Sequence, residues 1–149
     1  MIGSSFKFES TTNNVKKAAD EAGFRNVGHA AASIRKTAIA SILNSPAGSP
    51  GRDSSTGRFT KAATIPSQPG KPPFTRKGSL RRAIRFDANK LTGTAVIGPQ
   101  FSLFGTAGHA HEFGGRFKEN TYPERPFMGP ALLGNITRFG NSFAGSIGG

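Results

Sequence analysis

The stretch HAHEFGGRF, residues 109–117, places two histidines, a glutamate and two glycines within nine positions. Imidazole nitrogens and carboxylate oxygens are what zinc binds where thiolates are lacking, so His109, His111 and Glu112, with His29 as a fourth donor, are the candidate metal set. On a strand an H-x-H pair points to one side, but a tetrahedral site needs a further convergent ligand, and no spacing brings His29 there. The same groups could do acid–base chemistry, with Glu112 paired to either histidine and Glu119 and Glu124 nearby. No nucleophile elbow, phosphate-binding glycine loop or nucleotide fingerprint accompanies them, so the reading is neither an enzyme nor a metal or cofactor protein. The structural reading is preferred. Glu112 and Phe113 anchor a corner, Gly114 and Gly115 make a tight turn, and Arg125, Pro126 and Phe127 lead into a last helix. Two further motifs are set aside: TRKGSLRR around Ser79 reads as a solvated loop entering a strand rather than a phosphorylation site, and Asn135-Ile-Thr as a chance sequon.

The elements that must position this corner follow from periodicity. Residues 11–43 read as helix, with Thr11, Thr12 or Asn13 as N-cap, Ile34, Ala38 and Ile42 on one stripe, and Gly23 and Gly28 as points of bending or breakage. From Leu80, Leu80, Arg82, Ile84 and Phe86 alternate with Arg81, Ala83, Arg85 and Asp87, which predicts a strand with Arg81 and Arg85 outward and Arg82 at the sheet edge. Together with GTAVIGP it makes a hairpin across DANKLTG. QFSLFGTAG reads as flexible. Met128, Ala131, Leu132, Ile136, Phe139, Phe143 and Ile147 form a helical stripe, beginning near Pro126 and weakened by glycines.

Between these lies the segment of residues 44–79, with six prolines and five glycines, far longer than an ordinary connection. It reads as an extended basic arm or loop, ordered on a partner, with Arg58, Phe59, Pro72, Pro73 and Phe74 as candidate subunit-interface residues. The chain is thus one domain, 1–149: helix over 11–43, arm over 44–79, a β-rich body over 80–132 and a C-terminal helix over 126–147. The expected class is α+β, an antiparallel β-sheet packed with an N-terminal and a C-terminal helix.

The net charge is +12 on 149 residues. Ten Lys/Arg face Asp53 and Asp87 between residues 52 and 90, so this stretch alone carries +8. Such density favours polyanions, because counterion release supplies affinity without sequence reading. Arg76, Lys77, Arg81, Arg82 and Arg85 are the candidate contacts with DNA or an acidic partner. With few interleaved aromatics and no nucleic-acid motif, phosphate contact is expected and base reading is not. There is no cysteine, hence no disulfide or thiolate site. MIGSSFKFES carries no basic-then-apolar leader pattern and nothing later reaches the length of a membrane span, so the expectation is a soluble protein kept inside a cell or particle.

Three blocks in this order, PGKPPFTRKGSLRRAIRF (69–86), AVIGP (95–99), and HAHEFGGR followed by YPERPFMGPAL (109–132), resemble the virion-morphogenesis and tail-completion proteins of tailed phages. That family's pattern is a Pro/Gly run, a TG-x-LR-x-SI strand start, a VIG strand, then A-x-x-H/x-E-F-G and ARPFL-x-PAL. Here Lys77 stands for Thr, Ala83 for Ser and Glu124 for a small residue, and the insertion at 50–65 is long. The resemblance implies an α+β subunit, not an enzyme, that assembles as a ring of roughly six or twelve copies at the head–tail junction. It would be a neck or tail-completion component of the virion, a head–tail joining or minor tail protein, present in the host cytoplasm during assembly. Its implied partners are neighbouring neck, connector or tail-tube proteins and genomic DNA in the lumen, with no membrane. The alternative is a basic, non-sequence-specific nucleic-acid-binding protein. A small metal-dependent hydrolase using His109, His111 and Glu112 is a distant third.

Overall fold

The computed structural model describes residues 12–46, 48, 52–59, 65–117 and 119–146. Thr11, Lys61 and Ile147, which figured in the expected N-cap, basic run and terminal stripe, lie outside the described residues.

A single 30-residue helix, α1 (Thr12–Ser41), forms the spine. Ala31, Ile34, Ala38 and Ile42 recur at spacings of three and four and are all buried. Gly23 and Gly28, expected to bend or break the helix, lie within it. Each costs about 1 kcal/mol relative to Ala, which the alanine-rich flanks and tertiary packing override. Residues 12–20 are exposed, so the first turns of α1 stand clear of the core.

The expected strand start at Leu80 is instead a short helix, α2 (Ser79–Ala83), entered through Gly78 at φ +70. Leu80, Ala83 and Ile84 are buried, the i, i+3, i+4 pattern of a helix. Over so short a window Leu80 and Ile84 also satisfy a period of two, and the burial of Ala83 with them marks the helical reading. The hairpin follows, with β1 (Ile84–Asn89) antiparallel to β2 (Thr94–Pro99) and Phe86 opposite Ile97. Its turn is closed by Asn89 Oδ1, which accepts from Leu91 N at 2.9 Å, and by Gly93 at φ +63. Phe86, assigned to the inward set, is instead exposed.

Next come α3 (Phe101–Phe104) and α4 (Ala107–Phe113) where a flexible stretch and then a corner were expected, followed by the small antiparallel pair β3 (Gly115–Phe117) and β4 (Asn120–Tyr122). The last helix is two, α5 (Met128–Leu133) and α6 (Ile136–Ser146), not one from 126 to 147. Asn135 makes the break. It is buried, and its Nδ2 donates to Ala131 O at 2.7 Å and Thr37 Oγ1 at 3.0 Å, pinning the joint to α1. That contact also gives the sequon asparagine a structural role.

The class is α+β, helices with a small antiparallel sheet, bracketed by a long N-terminal and a C-terminal helix. The body over 80–132 is less β-rich than expected, since α2 to α5 alternate with two separate two-stranded sheets. Ile34, Ala38, Ile42, Leu80, Ile84, Phe127 and Ala131 form the core where α1, α2, the hairpin and α5 meet.

The long connection is anchored in part. Thr75 N donates to Leu43 O at 2.8 Å and Ser45 N to Thr75 O at 2.9 Å, and Pro73 is fully buried. Pro72, Pro73 and Phe74 therefore pack on their own body instead of serving as a free arm. Residues 52–59 close a small hairpin of their own. Arg52 pairs with Phe59 and lies 5.3 Å from its ring centroid, and Asp53 Oδ1 accepts from Ser55 N, Ser55 Oγ and Thr56 N within 2.9 Å. These bonds, with the Ser55 hydroxyl foremost, hold the Asp53 carboxyl down to about 2. Arg58 and Phe59 are exposed there.

Candidate functional site

The HAHEF residues form α4, so the two histidines two positions apart point to nearly opposite sides instead of converging as on a strand. His109 is exposed and packs on Phe113, with ring centroids 4.8 Å apart. His111 turns inward, edge-on to Tyr122 at 6.4 Å, with a buried Nδ1 that has no hydrogen-bond partner. Burial, and after it the nearby Arg125 charge, hold its pKa below the ordinary imidazole value. His29 sits on α1 beside α6, among Arg138, Phe139 and Phe143. Among the described residues no group of three His, Asp or Glu side chains is placed to hold a metal.

Glu112 has a different task. Its Oε2 accepts from Phe127 N and Met128 N, both at 2.9 Å, and its Oε1 from Gly129 N at 2.7 Å. One carboxylate thus satisfies the backbone donors at the start of α5, which a helix leaves without internal partners, and its charge opposes the positive end of the peptide dipoles. A side-chain carbon at Gly129 would lie 3.2 Å from Oε1, so a glycine there keeps the carboxylate close.

The segment facing this corner is YPERPF, which leaves β4 at Tyr122. Arg125 is buried; its backbone N–H donates to His111 O at 2.6 Å and its Nε to Ser67 O at 3.0 Å. Gly70 N donates to Glu124 O at 2.8 Å, fastening the proline-rich segment to the same place. Gly114 at φ +68 supplies the turn. A Cβ there would meet the Glu124 chain and Tyr122 O at 3.1–3.2 Å. Gly115 is at φ +114. The anchor of the corner, however, is Phe127, fully buried, while Phe113 is 65 % exposed. Pro126 precedes α5 without entering it.

The basic candidates separate into free and engaged groups. Arg76, Lys77, Arg82 and Arg85 are exposed. Arg82 Nη1 donates to the Lys77 backbone carbonyl at 2.6 Å, which ties its guanidinium to the entry of α2. Arg81, expected to point outward, is half-buried, with Nη2 on Asn44 Oδ1 at 2.7 Å, because helical α2 turns it toward the α1 end. Arg76, Lys77 and Ser79 rim a depression of about 680 Å³ whose floor includes Phe74, Leu80, Phe104 and His111.

On the other side of α4 lies an apolar groove of about 650 Å³ between β2, α3, α4 and α5. Ile97, Phe101, Phe113, Met128 and Leu132 line it, with Ile34 of α1 beneath. Gly108 makes the groove's inner wall possible, since a Cβ would fall 2.7 Å from Pro99 Cγ and only glycine lets α4 lie on β2. The sequence reasoning missed this groove because its lining comes from five separate elements. The exposed Phe101 and Leu132 were the available signal.

Comparison of the chain with protein-family models, with curated proteins and with solved structures finds no match.

Proposed function

We propose that this chain is a structural subunit of a tailed-phage virion, a neck or tail-completion component that assembles as a ring at the head–tail junction and acts by assembly, without catalysis. The observation that carries the assembly part is the apolar groove, where Phe101 at 73 %, Phe113 at 65 % and Leu132 at 46 % exposure line one recess. Clustered exposure of large apolar side chains marks an interaction site. The place in the virion rests on the order of the sequence blocks at 69–86, 95–99 and 109–132. The two parts of the last block, HAHEFGGR and YPERPFMGPAL, meet at the Glu112 contact with α5, so they serve as one framework element of a subunit.

Locating the protein in particles by cryo-electron microscopy tests this reading. Density for a closed ring between head and tail is expected, and absence of the protein from purified, complete particles overturns it. The second reading, a basic nucleic-acid-binding protein, is favoured by the cations at Arg76, Lys77, Arg82 and Arg85. On that reading a purified monomer binds duplex DNA with a steep salt dependence, and replacing Arg76, Lys77 and Arg82 with alanine lowers the log–log slope by roughly 2 to 3.

A further inference from the structure

The groove between β2 and α3–α5 has walls for an apolar occupant, and the chain carries a segment of matching pattern outside the described residues. In MIGSSFKFEST, residues 1–11, an extended backbone puts Ile2, Phe6 and Phe8 on one side and Lys7 and Glu9 on the other. Two phenyl rings two positions apart suit an elongated recess of about 650 Å³ with few polar groups at its lining.

Reach decides which copy supplies the segment. Ile34, in the groove floor, follows Thr12 by 22 positions of one unbroken helix, a separation of ~33 Å at 1.5 Å per residue. Even if the chain doubles back fully extended, Phe8 travels at most ~14 Å and Phe6 at most ~22 Å from Thr12. Neither backbone position reaches the level of Ile34 in the groove floor of its own subunit. The first turns of α1, residues 12–20, are themselves exposed.

We infer that Phe6 and Phe8 of one copy dock in the groove of a neighbouring copy, with Phe101, Phe113 and Leu132 closing around the rings. This deepens the assembly reading by naming the contact that joins subunits, and it is separable from that reading. Docking in trans explains why a groove with such exposed aromatic walls sits far from the segment that suits it, and burial of two phenylalanines supplies a large apolar area.

The test uses a fluorescent peptide of residues 1–11 and the full chain carrying Phe6→Ser and Phe8→Ser, which leaves its groove vacant. Saturable binding is expected, weakened at least tenfold by Leu132→Asp in the chain or by the two serines in the peptide. Phe113→Ser serves as a second groove variant, and circular dichroism verifies that each variant folds. Sedimentation at micromolar concentration should give a larger mass for the wild-type chain than for the Phe6→Ser, Phe8→Ser variant. Failure of the peptide to bind, binding indifferent to both groove variants, or equal masses overturns the inference. A neck ring seen in particles together with a non-binding peptide overturns the docking alone, whereas peptide binding by a protein absent from particles overturns the virion reading alone.

Discussion

At the start of α5 three backbone N–H groups meet the Glu112 carboxylate at 2.7–2.9 Å, whereas one turn further along the same helix Leu132 stands exposed over an apolar recess. The two faces of this corner are satisfied by different means. On the clamp side Arg125 N, Arg125 Nε and Gly70 N all find carbonyl oxygens of their own chain. On the groove side Phe101 and Phe113 cover nothing of their own chain fully. Backbone donors paired within the chain hold the fold, whereas clustered exposed apolar side chains mark an interaction surface.

Breaking the clamp has the largest expected effect. Glu112→Ala leaves three donors at the α5 start without their acceptor and should cost about 3 kcal/mol in urea unfolding, with Glu112→Gln costing less because its amide still offers one oxygen. A cost near zero for Glu112→Ala would reduce the corner to surface decoration. A pH dependence comes next. His111 binds a proton less readily folded than unfolded, so the unfolded state carries more protons as the pH falls through 6.5, and stability declines on that acid side. Well above 6.5 the group is neutral in both states and contributes no slope. His111→Phe should flatten the decline between pH 7.5 and 5.5, measured as the shift in urea midpoint.

On the groove side the contrast sharpens. Phe101→Ser should change the stability of the isolated chain by no more than about 0.5 kcal/mol, since the ring is mostly exposed there. A loss comparable to that of Glu112→Ala would mean that the face belongs to the core. The smallest effect belongs to the 52–59 hairpin. Its Asp53 carboxyl should titrate near 2 by NMR and move upward toward 3.8 in Ser55→Ala, leaving global unfolding unchanged.

Much of the framework was legible locally. The stripe Ile34, Ala38, Ile42 repeats at helical spacing, so the second half of α1 is readable without tertiary information, and TAVIGP with an upstream Gly93 signals a strand after a turn. Gly114 and Gly115 were readable as the turn of the corner because a side chain disfavours positive φ. Where windows were short, two periods fitted equally. Residues 79–83 became helical, which buries Leu80 and Ala83 together and leads Ile84 into the core beside α1, and His109 and His111 parted because α4 is a helix.

Composition and charge belong to the chain itself: the +12 excess, the lack of cysteine and the proline-rich connection are covalent facts that no fold alters. Their partners are not. Which cations stay free, as Arg76 and Lys77 do, and which are tied, as Arg81 is to Asn44, depends on residues distant in sequence meeting in space. The same holds for Glu112, 15 positions from the first N–H it accepts, and for the groove assembled from five elements. Periodicity reports which side of an element is apolar; only the packing of one element on another decides what that side touches.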